Sequence, residues 1–214
     1  MIRLYVPFGT CFSLLTMKKD IALALHEIGA IKFGEFTLKS GMKSPIYIDL
    51  RILVSYPKIL KMISDEMVKL AKKLKFDLIA GIPYTALPIA TAMSLSEGWP
   101  MVYARKEVKD YGTKKKIEGV YKEGDTALII DDLITTGASK FETVEPFVAS
   151  GLKIKDFIVL IDREQGGSRQ LREKGYNLHS ILGINELLDI LNTEEKITAD
   201  DYERSKKFIA ETQV

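Results

Sequence analysis

Apolar positions recur along this chain at two periods, and the alternation of those periods lays out its architecture. Ile21, Leu25 and Ile28 fall on one helical face within 17–29, and Gly29 stands where a helix-ending glycine belongs. Alternation from Ile46 to Leu50 predicts a strand. Pro57 opens a helix running to about Lys75, with Ile59, Met62, Ile63, Met67 and Leu70 as its apolar stripe. Asp77-Leu-Ile-Ala-Gly81 reads as a short buried strand, Pro83-Tyr84-Thr85-Ala86 as a loop, and a helix follows to Ser96 before the next strand, Met101–Arg105. Strand, helix and strand at this spacing make a βαβ unit, so the sheet is expected to be parallel. The run Ala127–Ile130, preceded by the turn pair Gly124-Asp125, is a further buried strand. A helix begins near Ser139, with Phe141, Val144, Phe147 and Val148 on one face. Asp156–Ile161 and Leu178–Leu182 complete the strands; Gly175 ends a helix, and 184–191 and about 198–211 are helical. The reading is one α/β domain over 17–214, a parallel sheet flanked by helices, with no internal repeat.

The pattern breaks at 106–123. Lys106, Glu107, Lys109, Asp110, Lys114, Lys115, Lys116, Glu118 and Glu123 crowd this segment with little apolar periodicity. A loop of that length in a compact domain is functional or disordered. It leaves the C-terminal end of one strand and leads into the 127–130 strand, so it is placed to fold over that strand's end and bring cations there. The first sixteen residues read as an extension of uncertain status: Pro7 and Gly9 interrupt their apolar run, no small-residue cleavage site follows, and Met17-Lys-Lys-Asp20 resembles a natural start.

Composition narrows the classes. The chain is 46% hydrophobic and 28% charged, with a net charge of +2, which argues against an extended nucleic-acid surface. One cysteine, Cys11, suits a reducing, cytoplasmic setting, and with only His26 and His179 a dedicated metal site is not expected. No apolar stretch is long enough to span a membrane.

The chemistry gathers after the 127–130 strand, in Asp131-Asp132-Leu133-Ile134-Thr135-Thr136-Gly137-Ala138-Ser139. Ligands of open parallel sheets bind outside the carboxyl ends of the strands. Two carboxylates there can accept vicinal hydroxyls. The loop that follows runs into a helix whose free N–H groups and dipole favour an anion, and Gly137 is expected to let the backbone curl around it. A sugar phosphate fits both halves. The glycines and lysine of a Walker loop or a dinucleotide fingerprint are missing. Two further candidates stand apart: Lys39, before the Ser-Gly turn at 40–41, and Arg163 in Asp162-Arg-Glu-Gln-Gly-Gly167, whose planar fork matches a carboxylate.

Four motifs occur in one order: Phe-Thr-Leu-Lys-Ser-Gly (36–41), Arg-Lys-x-x-Lys-Asp-x-Gly (105–112), Asp-Asp-Leu-Ile-Thr-Thr-Gly (131–137) and Asp-Arg-Glu-Gln-Gly-Gly (162–167). In that order they resemble the orotate phosphoribosyltransferases, over most of the chain from about Phe33 onward. The resemblance implies the type I phosphoribosyltransferase fold, a Rossmann-like parallel sheet with a small hood. It implies transfer of the phosphoribosyl group of 5-phosphoribosyl 1-diphosphate (PRPP) to orotate, giving orotidine 5′-monophosphate and pyrophosphate in pyrimidine synthesis. On this resemblance Asp131 and Asp132 hold the ribose hydroxyls and 133–139 the 5′-phosphate. Lys39, Tyr84 and Thr85 line the PRPP site, with Arg105, Lys106, Lys109 and Tyr111 in a mobile hood over the pyrophosphate. Lys39, Lys109 and Asp132 are the implied catalytic residues. Thr135, Arg163 and Lys39 meet orotate, and Tyr47 and Ile48 line its pocket. Magnesium is implied as a cofactor carried mainly by PRPP, and a homodimer in which the hood completes the neighbour's site.

Tyr111, Thr85 and Ile48 stand where many bacterial members carry His, Lys and an aromatic. Tyr-Thr-Ala-Leu-Pro (84–88) and Lys-Asp-Tyr-Gly-Thr-Lys (109–114) look more like the orotate domain of the eukaryotic UMP synthases. Those continue into a decarboxylase barrel; with Val214 as the last residue, that second activity is not expected here. The alternatives are a PRPP-sensing regulator without turnover, for which no added DNA-binding segment is visible, and a phosphoribosyltransferase for another base. Lys39 and Arg163 argue against the latter, because a purine has no carboxylate to pair.

Overall fold

A computed structural model describes residues 14–38, 41–105 and 116–213. Its centre is a six-stranded sheet of β3 (Leu78–Gly81), β4 (Met101–Ala104), β5 (Ile117–Glu118), β6 (Thr126–Ile134), β7 (Lys153–Asp162) and β8 (Asn177–Gly183), in the spatial order β5-β4-β3-β6-β7-β8. All pairings are parallel except the edge pair β4–β5. β3 is buried along its whole length, as are Ala127–Ile130 of β6 and Phe157–Ile161 of β7. Strands covered on both faces read as unbroken apolar runs, which is why the sequence displays them so plainly. Helices α2 (Pro57–Ala71), α3 (Ala86–Glu97), α4 (Ala138–Ala149), α5 (Gly167–Glu173), α6 (Ile184–Thr193) and α7 (Ala199–Glu211) follow their strands, and α1 (Leu14–Glu27) precedes them. α1 is tied to α6 by Lys18–Glu186 at 2.8 Å and Lys19–Glu194 at 2.7 Å. No described helix is long and apolar enough to cross a membrane.

Four expectations need correction. The strand expected at 46–50 is the second arm of an antiparallel hairpin, β1 (Ile31–Thr37) and β2 (Lys43–Ile48), and Leu50 instead opens a short 3₁₀ turn to Ser55. β1 escapes the pattern because Gly34 and a register shift between Phe33 and Phe36 break its alternation. The charged segment is not structureless throughout, since Ile117–Glu118 forms the edge strand β5, with Ile117 buried. Val148 is 49% exposed, so it leaves the inner face of α4 to Val144 and Phe147. Finally, β6 does not end at Ile130. Its ladder with β7 continues through Asp131↔Val159 and Leu133↔Ile161 to Ile134↔Asp162, because β7 stays apolar and extended to Ile161.

Candidate active site

The order of the sheet fixes where a site can form. The chain fills the β3–β4 side first and then turns back through β6, β7 and β8, so the strand order reverses between β3 and β6. At such a switch point the loops after the two strands diverge and leave a crevice. Three loops meet along this edge: 82–85 after β3, 135–137 after β6 and 163–166 after β7. They are sewn together by main-chain bonds. Ile82 N–H donates to Ile130 O at 3.1 Å, Arg163 N–H to Ile134 O at 2.9 Å and Gly167 N–H to Thr135 O at 3.1 Å. Gly167 is obligatory there, because a Cβ would lie 2.6 Å from Ile134 Cγ1 and 2.9 Å from Thr135 O. β4 brings Arg105 to the same edge, where it is ion-paired with Glu118 and donates its N–H to Lys116 O at 2.9 Å. Arg105 and Lys116 are thereby held together beside the crevice.

The two carboxylates lie within β6, not beyond it. Their Cβ atoms leave opposite faces of the strand, yet the Asp131 and Asp132 side chains still interact with each other. Asp131 is 3% exposed and takes the ammonium of Lys140, in the first turn of α4. Burial pushes its carboxyl up, to about 7, while Lys140 opposes that rise and Asp132 adds to it. Asp132 is half-buried and accepts Leu133 N–H at 2.8 Å. Thr135 and Thr136 are half-buried at the head of α4, whereas the Ile134 side chain belongs to the core. Gly137 corrects an expectation: its φ of −69° and ψ of −17° are open to any residue. What excludes a side chain is close packing, because a Cβ would sit 2.8 Å from Gln170 Cβ. The Gly137 N–H donates to Gln170 Oε1 at 3.1 Å.

Arg163 is 8% exposed, and its Nε and Nη2 meet no acceptor among the described residues. Those two N–H groups form one edge of the guanidinium, two parallel donors that match a carboxylate. Burial lowers the pKa of the group from its usual value. Its loop is held rigidly from both sides. Asp162 accepts Glu164 N–H at 2.8 Å, and Glu164, at a left-handed φ of 53°, reaches Asn185 at the head of α6. Next to it the buried Gln165 donates to Thr212 at the end of α7. The Thr212 hydroxyl already donates to Phe208 O at 2.7 Å, so Gln165 Oε1 is left unpartnered.

The expected residues therefore fall into three groups. Tyr84 and Thr85, Asp131 to Ser139, Arg105 and Arg163 lie along one sheet edge, with Tyr84 66% exposed. Tyr47 and Ile48 lie on the separate two-stranded sheet, whose β2 lies against α7. Tyr47 stacks on Phe36 at 5.4 Å and accepts from Arg51 Nη2 at 3.1 Å. Ile48 packs into the core on the strand face opposite Tyr47. Lys39, Lys106, Lys109 and Tyr111 lie outside the described residues. Lys140, Gln165 and Gln170 were not anticipated. Only Lys140 left a trace in the sequence, a cation in the first turn of a helix, where the dipole disfavours it.

A reversed parallel sheet, an acidic pair at its switch point and a hydroxyl-rich loop entering a helix define a type I phosphoribosyltransferase. No family model matches the chain. It is 46% identical to uridine 5′-monophosphate synthase of Bos taurus over 194 residues, which is 90% of this chain and 40% of that protein. It is 43% identical to orotate phosphoribosyltransferase of Caenorhabditis elegans over 188 residues, 87% of this chain and 82% of the relative. The solved UMP synthase of Leishmania donovani superposes with a TM-score of 0.85 at 41% identity, covering 91% of this chain and 42% of that one. The chain belongs to the orotate phosphoribosyltransferase family, and it spans about two fifths of the length of the UMP synthases it matches.

Proposed function

We propose that this chain transfers the 5-phosphoribosyl group of PRPP to orotate, giving orotidine 5′-monophosphate and pyrophosphate in pyrimidine synthesis. One observation carries the choice of base: the buried, unpartnered Nε–Nη2 edge of Arg163, at the end of the strand next to the acidic pair. Leaving two charged donors unpaired in the interior is costly, and a planar carboxylate relieves both at once. The names carried by the relatives support the same substrate.

In this reading the ribose hydroxyls meet the acidic pair through Asp132, with Asp131 behind it, and the loop 133–139 takes the 5′-phosphate on main-chain N–H groups and threonine hydroxyls. Tyr84 and Thr85 flank PRPP, Thr135 and Arg163 meet orotate, and Tyr47 lines its pocket. As the anomeric C–O bond breaks, positive charge grows on the ribose and negative charge on the departing diphosphate. Stabilisation then requires fixed cations at the leaving group and exclusion of water. Arg105 stands at that edge, and Lys39, Lys106 and Lys109 are assigned the same task, with the hood segment, about 106–123, closing over the site. Orotate is already an anion and needs no strong base. Magnesium is proposed to arrive with the diphosphate and to neutralise its charge; among the described residues no three His, Cys, Asp or Glu side chains gather to cage it. We further propose a cytoplasmic homodimer in which the hood segment, about 106–123, of each chain completes the neighbour's site.

The test is the loss of orotate absorbance when PRPP and magnesium are added together. The expected result is a fall that needs all three components and is reversed by pyrophosphate. A chain that only senses PRPP would bind it and leave the absorbance unchanged, and that outcome would overturn the reading.

A further inference from the structure

The two adjacent carboxylates are not equivalent. Both oxygens of Asp131 are engaged within the chain, Oδ1 by Asp132 N–H at 2.8 Å and Oδ2 by the Lys140 ammonium. Asp132 spends one oxygen on Leu133 N–H and forms no ion pair among the described residues. The Asp131–Lys140 pair is sequestered, the two side chains being 5% and 12% exposed. Burying an ion pair carries a desolvation cost that its own attraction barely offsets. An ammonium in the first turn of α4 also opposes the helix dipole. A position that breaks two local rules at once is expected at a functional constraint. Its geometry shows what is constrained. The pair runs from Asp131 within β6 to Lys140 in the first turn of α4, bracketing 133–139, the loop assigned to the 5′-phosphate.

Resting on the function proposed above, we infer that Lys140 is a positioning residue. It clamps the head of α4 to β6 through Asp131, fixes the phosphate loop between them, and leaves Asp132 as the carboxylate that meets the ribose. Asp132 on the same strand and Lys140 from α4 are the charged groups acting on Asp131; its register partner on β7 is Val159, and on the other side β3 ends in Gly81 and Ile82. Because burial holds Asp131 near neutrality, the clamp loosens as the carboxyl protonates on the acid side.

The experiment compares Lys140→Met, Lys140→Arg, Asp131→Asn and the double variant Asp131→Asn/Lys140→Met in the full chain. It reads kcat, both KM values, PRPP binding by calorimetry, and the melting temperature. Lys140→Met should raise KM and Kd for PRPP by about tenfold, equivalent to about 1.4 kcal/mol, with the KM for orotate unmoved, and Lys140→Arg should recover most of the loss. The double variant should be no worse than either single one, since both break one clamp. Wild type should lose PRPP affinity on the acid side of neutrality more steeply than Lys140→Met, which has no clamp to lose. PRPP binding within twofold of wild type in Lys140→Met would overturn the inference. So would additive losses in the double variant, or equal losses toward both substrates with a lowered melting temperature. If Lys140→Met does not fold, the Lys140→Arg and Asp131→Asn pair supplies the same comparison. Failure of wild type to consume orotate would count against the choice of base alone, because PRPP calorimetry still tests the clamp.

Discussion

Replacing Arg163 by Met removes the guanidinium while keeping most of the apolar stem. That group is 8% exposed, with Nε and Nη2 unpaired among the described residues. Each unpaired buried donor costs about 1–3 kcal/mol, and Met carries neither. Relief of two donors, about 2–6 kcal/mol together, should therefore raise the midpoint by about 4 °C or more, since 1 kcal/mol moves the midpoint of a chain this size by roughly 2–4 °C. With orotate bound the sign reverses. Two parallel charge-assisted hydrogen bonds are worth about 1.5–3 kcal/mol each. Losing both, with some compensation from the donors' own penalty, leaves a deficit of about 3–4 kcal/mol, or roughly a 10²–10³-fold rise in KM for orotate. The KM for PRPP should stay within about twofold of wild type, because the acidic pair and the loop 135–137 are untouched. Initial rates from orotate absorbance with each substrate varied, together with thermal melting of the same preparations, give all three numbers. A rise confined to the PRPP constant would place the Arg163 fork on the diphosphate. A midpoint lowered by more than about 5 °C would show that the guanidinium has a partner in the free protein, and the argument from unpaired donors would fall.

Other substitutions probe the rest of the edge. Asp132→Asn should fold normally and weaken PRPP binding by about 1–3 kcal/mol; unchanged affinity by calorimetry would move the ribose elsewhere. Gly167→Ala forces a Cβ to within 2.6 Å of Ile134 and 2.9 Å of the Thr135 carbonyl, so a loss of about 1–3 kcal/mol in a urea titration is expected. A carboxyl raised from 3.8 to about 7 binds more protons in the folded state, so Asp131 should make wild type progressively less stable, relative to Asp131→Asn, as pH rises between those values. Denaturant midpoints across that window check the sign, and a difference that does not change would remove the shift. Co-refolding of the inactive variants Lys109→Ala and Asp132→Ala should restore activity if the hood serves the neighbouring chain, since one of the two sites in a mixed dimer is then intact. No recovery in mixed dimers confirmed by native mass spectrometry would argue for a hood acting on its own chain.

What the sequence determined alone is the class of sheet, the place of its switch loop and the chemistry carried there. Parallel strands buried on both faces must be apolar throughout, so Leu78–Ala80, Ala127–Ile130 and Phe157–Ile161 are legible without neighbours. A cradle that joins a strand end to a helix head draws its groups from consecutive residues, so Asp131 to Ser139 and the Arg163 loop are visible as motifs. Tertiary structure decided whatever depends on alignment across elements. β1 and β5 exist through their pairing partners, since an interrupted alternation and a charge-rich segment predict neither. The length of β6 was set by β7, and that extension placed Asp131 inside the ladder, where Lys140 reaches it. Gln170 at the Gly137 N–H, Glu164 on Asn185 and Gln165 on Thr212 join residues 21 to 47 positions apart in the chain. No local period records such contacts, because they arise only when α5, α6 and α7 are laid against the edge that β6 and β7 share.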